Sequence, residues 1–344
     1  MKSILAPPEA KIGLFDLARL LISTAPKVYY EPEEKRLKDK IKYRLRGGAT
    51  PGPTREWFRL LSQPNMAIIP ESCPRILSKL QRPYLHRNIL LSERLQVLKE
   101  HYEFVTRNFT QPAMARIYSS RGSLLTDLPM EGVGTFSLRL IYANCFEKEG
   151  ELTIVLVDEA TTKILYALSF SVISFRAEPK QMFIGGLQGT KQDNIRELTI
   201  EITRKMHGLR PKALLLFVAQ HLASLWGMGS LRAVSNEQSI YRDFRLRKKK
   251  ISADYDEFWI ESGGQSGPDG LFNLPIRFEP RPMTDFKANK RPVYRKRYEM
   301  LEQIAQRITA HSAELGSSRP SEQLQPASAS TDCKTPDELE SHES

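Results

Sequence analysis

Cysteine is scarce in this chain. Cys73, Cys145 and Cys333 are three residues spread over 344 positions, an odd number whose spacing fits neither a disulfide framework nor a zinc site, so a reducing compartment is expected. Long apolar runs are absent too: nowhere do ~18 uninterrupted apolar residues occur, the length a membrane-spanning helix needs. The opening stretch MKSILAPPEAKIGLFDLARLLISTA is interrupted by Lys11, Asp16 and Arg19 and led by Pro7 and Pro8, which makes a poor secretory signal. A cytoplasmic location is therefore expected. Also missing are a His pair at helical spacing with an attached acid, a Walker loop, a dinucleotide fingerprint and a G-x-S-x-G elbow. No metal site is expected, and phosphoryl transfer, nicotinamide redox chemistry and serine hydrolysis all lose their usual support.

Acidic residues are outnumbered, 40 against 51 Lys and Arg, giving a formal charge of +11. Such an excess points to an anionic partner: nucleic acid, a membrane face or a phosphorylated cofactor. The basic residues concentrate in RDFRLRKKK (242–250), six against the single acid Asp243, and in RFEPRPMTDFKANKRPVYRKR (277–297). Neither has the arrangement of an RNA-binding sheet, a zinc finger or a heptad-backed basic helix. A solvated charged loop and a contact for anions or lipid headgroups both fit the first run.

What is present is globular: 40% hydrophobic and 26% charged residues, in a length suited to one large domain or two ordinary ones. Residues 10 to about 120 place apolar residues at three- and four-residue spacing, as in KIGLFDLARLLIS and SERLQVLKEHYEFVTRNF, and are expected to be helical. RGGATPGPT should be a loop. From Gly132 the period becomes that of strands: GTFSLRLIYANCF, ELTIVLVDE, KILYALSFSVISF and QMFIGGLQG, the first two joined by the polar turn EKEG. A helix IRELTIEITRKMHG then ends at Gly208, and Pro211 opens a second helix that is apolar on nearly every side. SLRAVSN reads as an interior strand, and YDEFWIESGG and LFNLPIRF as two more. The expected division is a helical region over 1–130, an α+β domain over 131–285, a C-terminal helix over 286–312 and a disordered tail over 313–344.

The turn before the second helix, Gly208-Leu209-Arg210-Pro211-Lys212, combines a helix N-terminus with two basic side chains, a natural cradle for phosphate. With the strand before it and SLRAVSN after it, the order resembles the acyl-CoA-binding core of the general N-acyltransferase (GNAT) superfamily over residues 133–280. That likeness implies a mixed, mainly antiparallel sheet with the helical N-terminal part packed on it. It also implies acyl-CoA or acyl carrier protein as donor, held by Gly208, Leu209, Arg210 and Lys212, with Asn236 near the pantetheine arm. Only Gly208 and the basic residues match the family's glycine motif, and Pro211 removes one amide. A second set, FIGGLQG, MHGLRPKALL, VSN followed by IYR, YDEFW and LSERLQVLKEHY, resembles the bacterial VirK/YbjX family over roughly residues 60–285. That resemblance implies a role in virulence and in tolerance of envelope stress such as antimicrobial peptides, without supplying a chemistry.

Acyl transfer needs a group to manage the acceptor's proton and a donor for the oxyanion. Asp256 and Glu257 at the expected strand start are the first acids to consider, the alternative being a solvated strand end. Tyr241 would serve as general acid toward the departing thiolate, or equally as a tyrosine at the core's edge. His207 would be a base, a phosphate contact or a cap for the helix dipole, and His221 a core histidine. Gln188, beside two Gly that admit close approach, would bind the acceptor or close a turn. An acidic carrier protein or an anionic lipid surface would suit the run at 242–250, and with it a peripheral position at the inner membrane. The rival reading is a non-enzymatic protein that binds RNA or a protein partner. An open, concave turn at 208–212 favours the enzyme, a filled one the rival.

Overall fold

The computed structural model describes residues 12–30, 33–87, 89–174, 179–190, 195–242 and 254–316. Most of the basic run 242–250, and the tail expected to be disordered beyond residue 316, lie outside the described residues. The chain begins with α1 (Leu14–Val28), α2 (Glu33–Ala49), α3 (Pro51–Leu61), α4 (Ile68–Ser72), α5 (Leu91–Asn108) and α6 (Gln111–Ile117), with 3-10 turns at Pro64–Met66 and Pro74–Gln81. RGGATPGPT is not the expected loop. Helix α2 runs to Ala49 and α3 starts at Pro51, with Thr50 alone between them. Two local causes are visible: Pro51 takes the first helical position, where no N–H is needed, and Gly47 lets Leu21 of α1 lie where a Cβ would come within 2.6 Å of it.

Five antiparallel neighbours follow: β1 (Ser123–Met130), β2 (Gly134–Ile141), β3 (Leu152–Asp158), β4 (Lys163–Ile173) and β5 (Gln181–Gly189). Strand β1 precedes the expected onset at Gly132. Asp127 and Pro129 obscure its period, yet both are tolerated because β1 is the sheet's edge. Its last residue, Met130, pairs with Gly134 of β2. Helices α7 (Ile195–Lys205) and α8 (Pro211–Leu225) lead into β6 (Ser230–Val234), parallel to β5. Then come α9 (Tyr255–Glu261), β7 (Gln265–Ser266), β8 (Leu271–Leu274) and α10 (Arg291–Glu314), giving the strand order β1-β2-β3-β4-β5-β6-β8-β7 among the described residues. The result is an α+β protein with a mixed, mainly antiparallel sheet and helices at its N-terminus.

YDEFWIE is a helix rather than the expected strand. Its aromatic residues suggest β structure, but Tyr255 and Trp259 stand at i, i+4 and are both buried. The Asp254 side chain caps the helix by accepting from the Glu257 N–H, and Trp259 donates its indole N–H to the Val234 carbonyl at 2.8 Å.

Helices α5 and α8 cover the same sheet, α5 on β4 and α8 across β3, β4 and β5, while α10 lies on β1. One continuous core therefore includes Leu17 of α1, Leu98 of α5, Phe170 of β4 and Leu214, Val218 and Leu222 of α8. Trp226, just after α8, packs its ring against Phe104 and Phe109 of the N-terminal part and Phe170 of the sheet, with centroids 5.4, 5.7 and 6.1 Å away. A second, smaller cluster gathers Val155, Val157 and Ala167 with Phe146.

Phe146 belongs to the connection between β2 and β3, where the largest departure from expectation occurs. EKEG is not a solvated hairpin turn. Residues 142–151 form a longer connection that turns inward, and Glu147, Glu149 and Glu151 are all buried. Glycines make room for it: a Cβ on Gly185 would collide with the Glu149 carbonyl oxygen, and one on Gly186 would collide with the Glu149 carboxylate. Gly186→Ala should therefore destabilise the protein by about 2 kcal/mol or more. Gly48→Ala, which meets nothing within 4 Å, should be neutral or stabilising by up to about 1 kcal/mol. Urea denaturation of the two variants checks the contrast.

Candidate functional site

Two of the three inward carboxylates, Glu147 and Glu151, are matched by cations from the 3-10 turn Pro74–Gln81 and the residue after it. A period of three residues puts Lys79 and Arg82 on one side of that turn. Lys79 Nζ lies 2.8 Å from Glu151 and also donates to the carbonyls of Glu147 and Gly150. Glu147 accepts from Arg75 Nε at 2.9 Å and from Arg82. Tyr102 donates its hydroxyl to Glu151, and Lys79 sits 4.6 Å above the Tyr84 ring. Burial lowers the Lys79 pKa, an effect opposed by Glu151 and Glu147, and burial raises the phenols of Tyr84, Tyr102, Tyr118 and Tyr142. With Lys79, Glu147 and Glu151 buried and only Arg75 and Arg82 reaching toward solvent, this cluster has the character of a structural anchor rather than a reaction centre.

Beside it, His101 of α5 accepts the Val172 backbone N–H on Nδ1 at 3.0 Å, which makes the buried ring neutral. Burial, and then Lys79 and Lys180, push its pKa down to about 3.

Two expected site residues meet at the third carboxylate. Gln188, at the end of β5, donates from Nε2 to both oxygens of Glu149 at 2.9 and 3.1 Å. Tyr241 hydrogen-bonds to the same Glu149, and its phenol is raised by burial first and Glu149 second. Its proton is thus held tightly, which makes it a poor donor to a thiolate.

Asn236 and Asp256 join β6 to α9. The Asn236 side chain donates to Asp254 at 2.8 Å and accepts the Tyr255 N–H at 2.8 Å, while the Asn236 backbone N–H goes to Asp256 at 2.7 Å. Both ends of the amide are engaged in this junction. His207, Gly208 and Leu209 form the turn from α7 to α8. His207 and Gly208 have φ of 53° and 80°, and the Gly208 and Leu209 amides bond back to Thr203 and Met206. Arg297 of α10 donates twice to the His207 carbonyl, at 3.0 and 2.7 Å, and a Cβ on Gly208 would come within 2.8 Å of its guanidinium.

Arg210, Lys212 and Glu257 are brought together differently. They line a concavity of about 420 Å³ with Tyr166, Pro211, Asp254 and Glu261. Arg210 approaches Glu261 at 3.6 Å, but both are exposed, so the pair contributes little. Lys212 is lowered by burial, then by Arg210, with Asp254 opposing. Asp254 is lowered chiefly by the hydrogen bond from Asn236. The concavity is consequently bipolar: two cations at the start of α8 face three carboxylates on and before α9. His221 is half-buried rather than buried. It lines a separate concavity of about 500 Å³ with Phe217, Phe278 and Tyr298, and its Nε2 lies 2.9 Å from Thr309 Oγ1.

Sequence reasoning missed Glu147, Glu149 and Glu151, whose charges suggest solvent. The available signal was the adjacent pair Gly185-Gly186, which required some neighbour to come close. No group of three or more His, Cys, Asp or Glu suited to a metal occurs among the described residues.

These features define an α+β protein built on one mixed sheet, with no described helix long and apolar enough to cross a membrane. The family described as "Protein of unknown function (DUF535)" matches residues 32–310, and the chain belongs to it, the VirK/YbjX family its motifs resemble. "Uncharacterized protein YbjX" of Escherichia coli (strain K12) is 32% identical over 266 residues, covering 76% of this chain and 80% of that protein. An "Uncharacterized protein" of Haemophilus influenzae (strain ATCC 51907 / DSM 11121 / KW20 / Rd) is 29% identical over 214 residues, 62% of this chain and 69% of its own. No solved structure matches.

The His101 ring gives a pH test. The unfolded chain takes up a proton near 6.5 that the folded chain refuses until about 3, so stability falls as pH drops below 6.5. Between pH 6.5 and 5 this group should cost about 2 kcal/mol. The pH dependence of urea midpoints should lose that component in His101→Gln.

Proposed function

We propose that the protein transfers an acyl group from acyl-CoA or acyl carrier protein to an acceptor, acting in the cytoplasm at the inner face of the membrane. Its biological setting is envelope defence, including antimicrobial-peptide tolerance and virulence. The observation that carries this reading is the bipolar concavity at the start of α8. Arg210 and Lys212, with the first-turn amides, suit the phosphates of the donor, and the acidic side suits a cationic amine. Glu257 first takes a proton from the acceptor's ammonium, and the neutral amine attacks the thioester carbonyl. As the carbon–sulfur bond breaks, the second amine proton goes to the departing thiolate, which leaves as the free thiol. Gln188 and Tyr241 act indirectly by holding Glu149, and Asn236 and Asp256 by fixing α9. His207, Gly208 and Leu209 shape the turn without lining the concavity. The rival binding role for RNA or protein would be favoured by a filled turn. Leu209 and Pro211 are buried, but Arg210 and Lys212 line open space.

Thermal melting with acetyl-CoA, a long-chain acyl-CoA and acyl carrier protein tests the reading. A donor at ~100 times its dissociation constant should stabilise the protein by ~2.7 kcal/mol. Arg210→Ala with Lys212→Ala should abolish the shift, whereas Glu257→Gln should keep it and lose transfer. No shift with any donor, or an undiminished shift in the double variant, would contradict the proposal.

A further inference from the structure

Of the twelve large apolar residues that the described chain exposes, seven fall between residues 14 and 45. In α2 they form a row at four-residue spacing: Leu37, Ile41 and Leu45, 56%, 43% and 68% exposed. The core side of α2 is Lys40, Tyr43 and Gly47. Tyr43 lies against Thr24 of α1 at 3.0 Å, and Gly47 against Leu21. Ile41 therefore stands roughly 160° around the helix from Tyr43, facing outward. One residue further on, at the same spacing, Lys38, Lys42 and Arg46 are all exposed. The paired helix α1 exposes Phe15 to 93% and Ile22 to 56%.

An apolar row bordered by a basic row is the pattern of a helix lying in a bilayer interface. The basic border gives charge complementarity to lipid phosphates. We propose that α2, with the exposed surface of α1, docks this protein on an anionic lipid bilayer. Leu37, Ile41 and Leu45 enter the boundary between headgroups and acyl chains, and Lys38, Lys42 and Arg46 meet the phosphates. The inference rests on the membrane-proximal position proposed above and is independent of acyl transfer.

Flotation of the full chain with vesicles of phosphatidylcholine alone, or mixed with phosphatidylglycerol, tests it. Binding is expected to the mixed vesicles only and to weaken as salt rises. Lys38→Glu with Lys42→Glu should lower partitioning by about tenfold or more. Ile41→Ser with Leu45→Ser should lower it at unchanged charge, with melting temperatures preserved in both variants. Absence of binding, equal binding to neutral vesicles, or variants that bind like the parent would overturn the proposal. So would a dimer by light scattering that Ile41→Glu dissociates, because the face would then belong to a second copy. Donor-induced melting shifts on the same proteins report the α8 concavity separately, so either idea can fail alone.

Discussion

Three carboxylates from the connection between β2 and β3 are held inside this protein, and the rest of the architecture accommodates them. A buried charge without a partner is costly, and one with good partners is tolerated. Glu151 requires Lys79, and Glu147 requires Arg75 and Arg82, so the N-terminal helical part must supply a 3-10 turn beside the sheet. Glu149 requires Gln188, and its close approach requires Gly185 and Gly186 in β5. The ionic pairs join the helical part to the connection and the Gln188 hydrogen bonds join the connection to the sheet, giving one packed unit that the Trp226 cluster reinforces on the apolar side.

This arrangement separates acids that hold the fold from acids that face open space. Glu147, Glu149 and Glu151 are buried and matched. Asp256 is engaged by the Asn236 backbone, and Asp254 by its side chain. Glu257 lines the concavity opposite Arg210 and Lys212, which is why the proposed proton acceptor is placed there. Helix α9 matters for the same reason: as a helix it presents Glu257 and Glu261 on one side at i, i+4.

Strands β3 and β4 were legible because each is rich in β-branched and aromatic residues, β5 because the apolar MFI leads into two Gly, and α8 because Gly208 and Pro211 punctuate it. Strand β1 was hidden by Asp127 and Pro129, which only an edge position tolerates. Helix α9 was hidden because Tyr255, Phe258 and Trp259 favour strands, and tertiary packing of Trp259 on β6 overrode that preference. Among candidate site residues, Arg210 and Lys212 were legible as a pair at the start of α8, but the facing position of Glu257 was not, because it depends on α9 being a helix. The link from Gln188 and Tyr241 to Glu149 was not, since it spans elements far apart in sequence.

The most direct test of the buried-charge account is a double-mutant cycle at Lys79 and Glu151, read by urea denaturation. Lys79→Met should cost about 3–5 kcal/mol by leaving Glu151 uncompensated, and adding Glu151→Gln should recover much of that loss. Simple additivity of the two single losses would contradict the account.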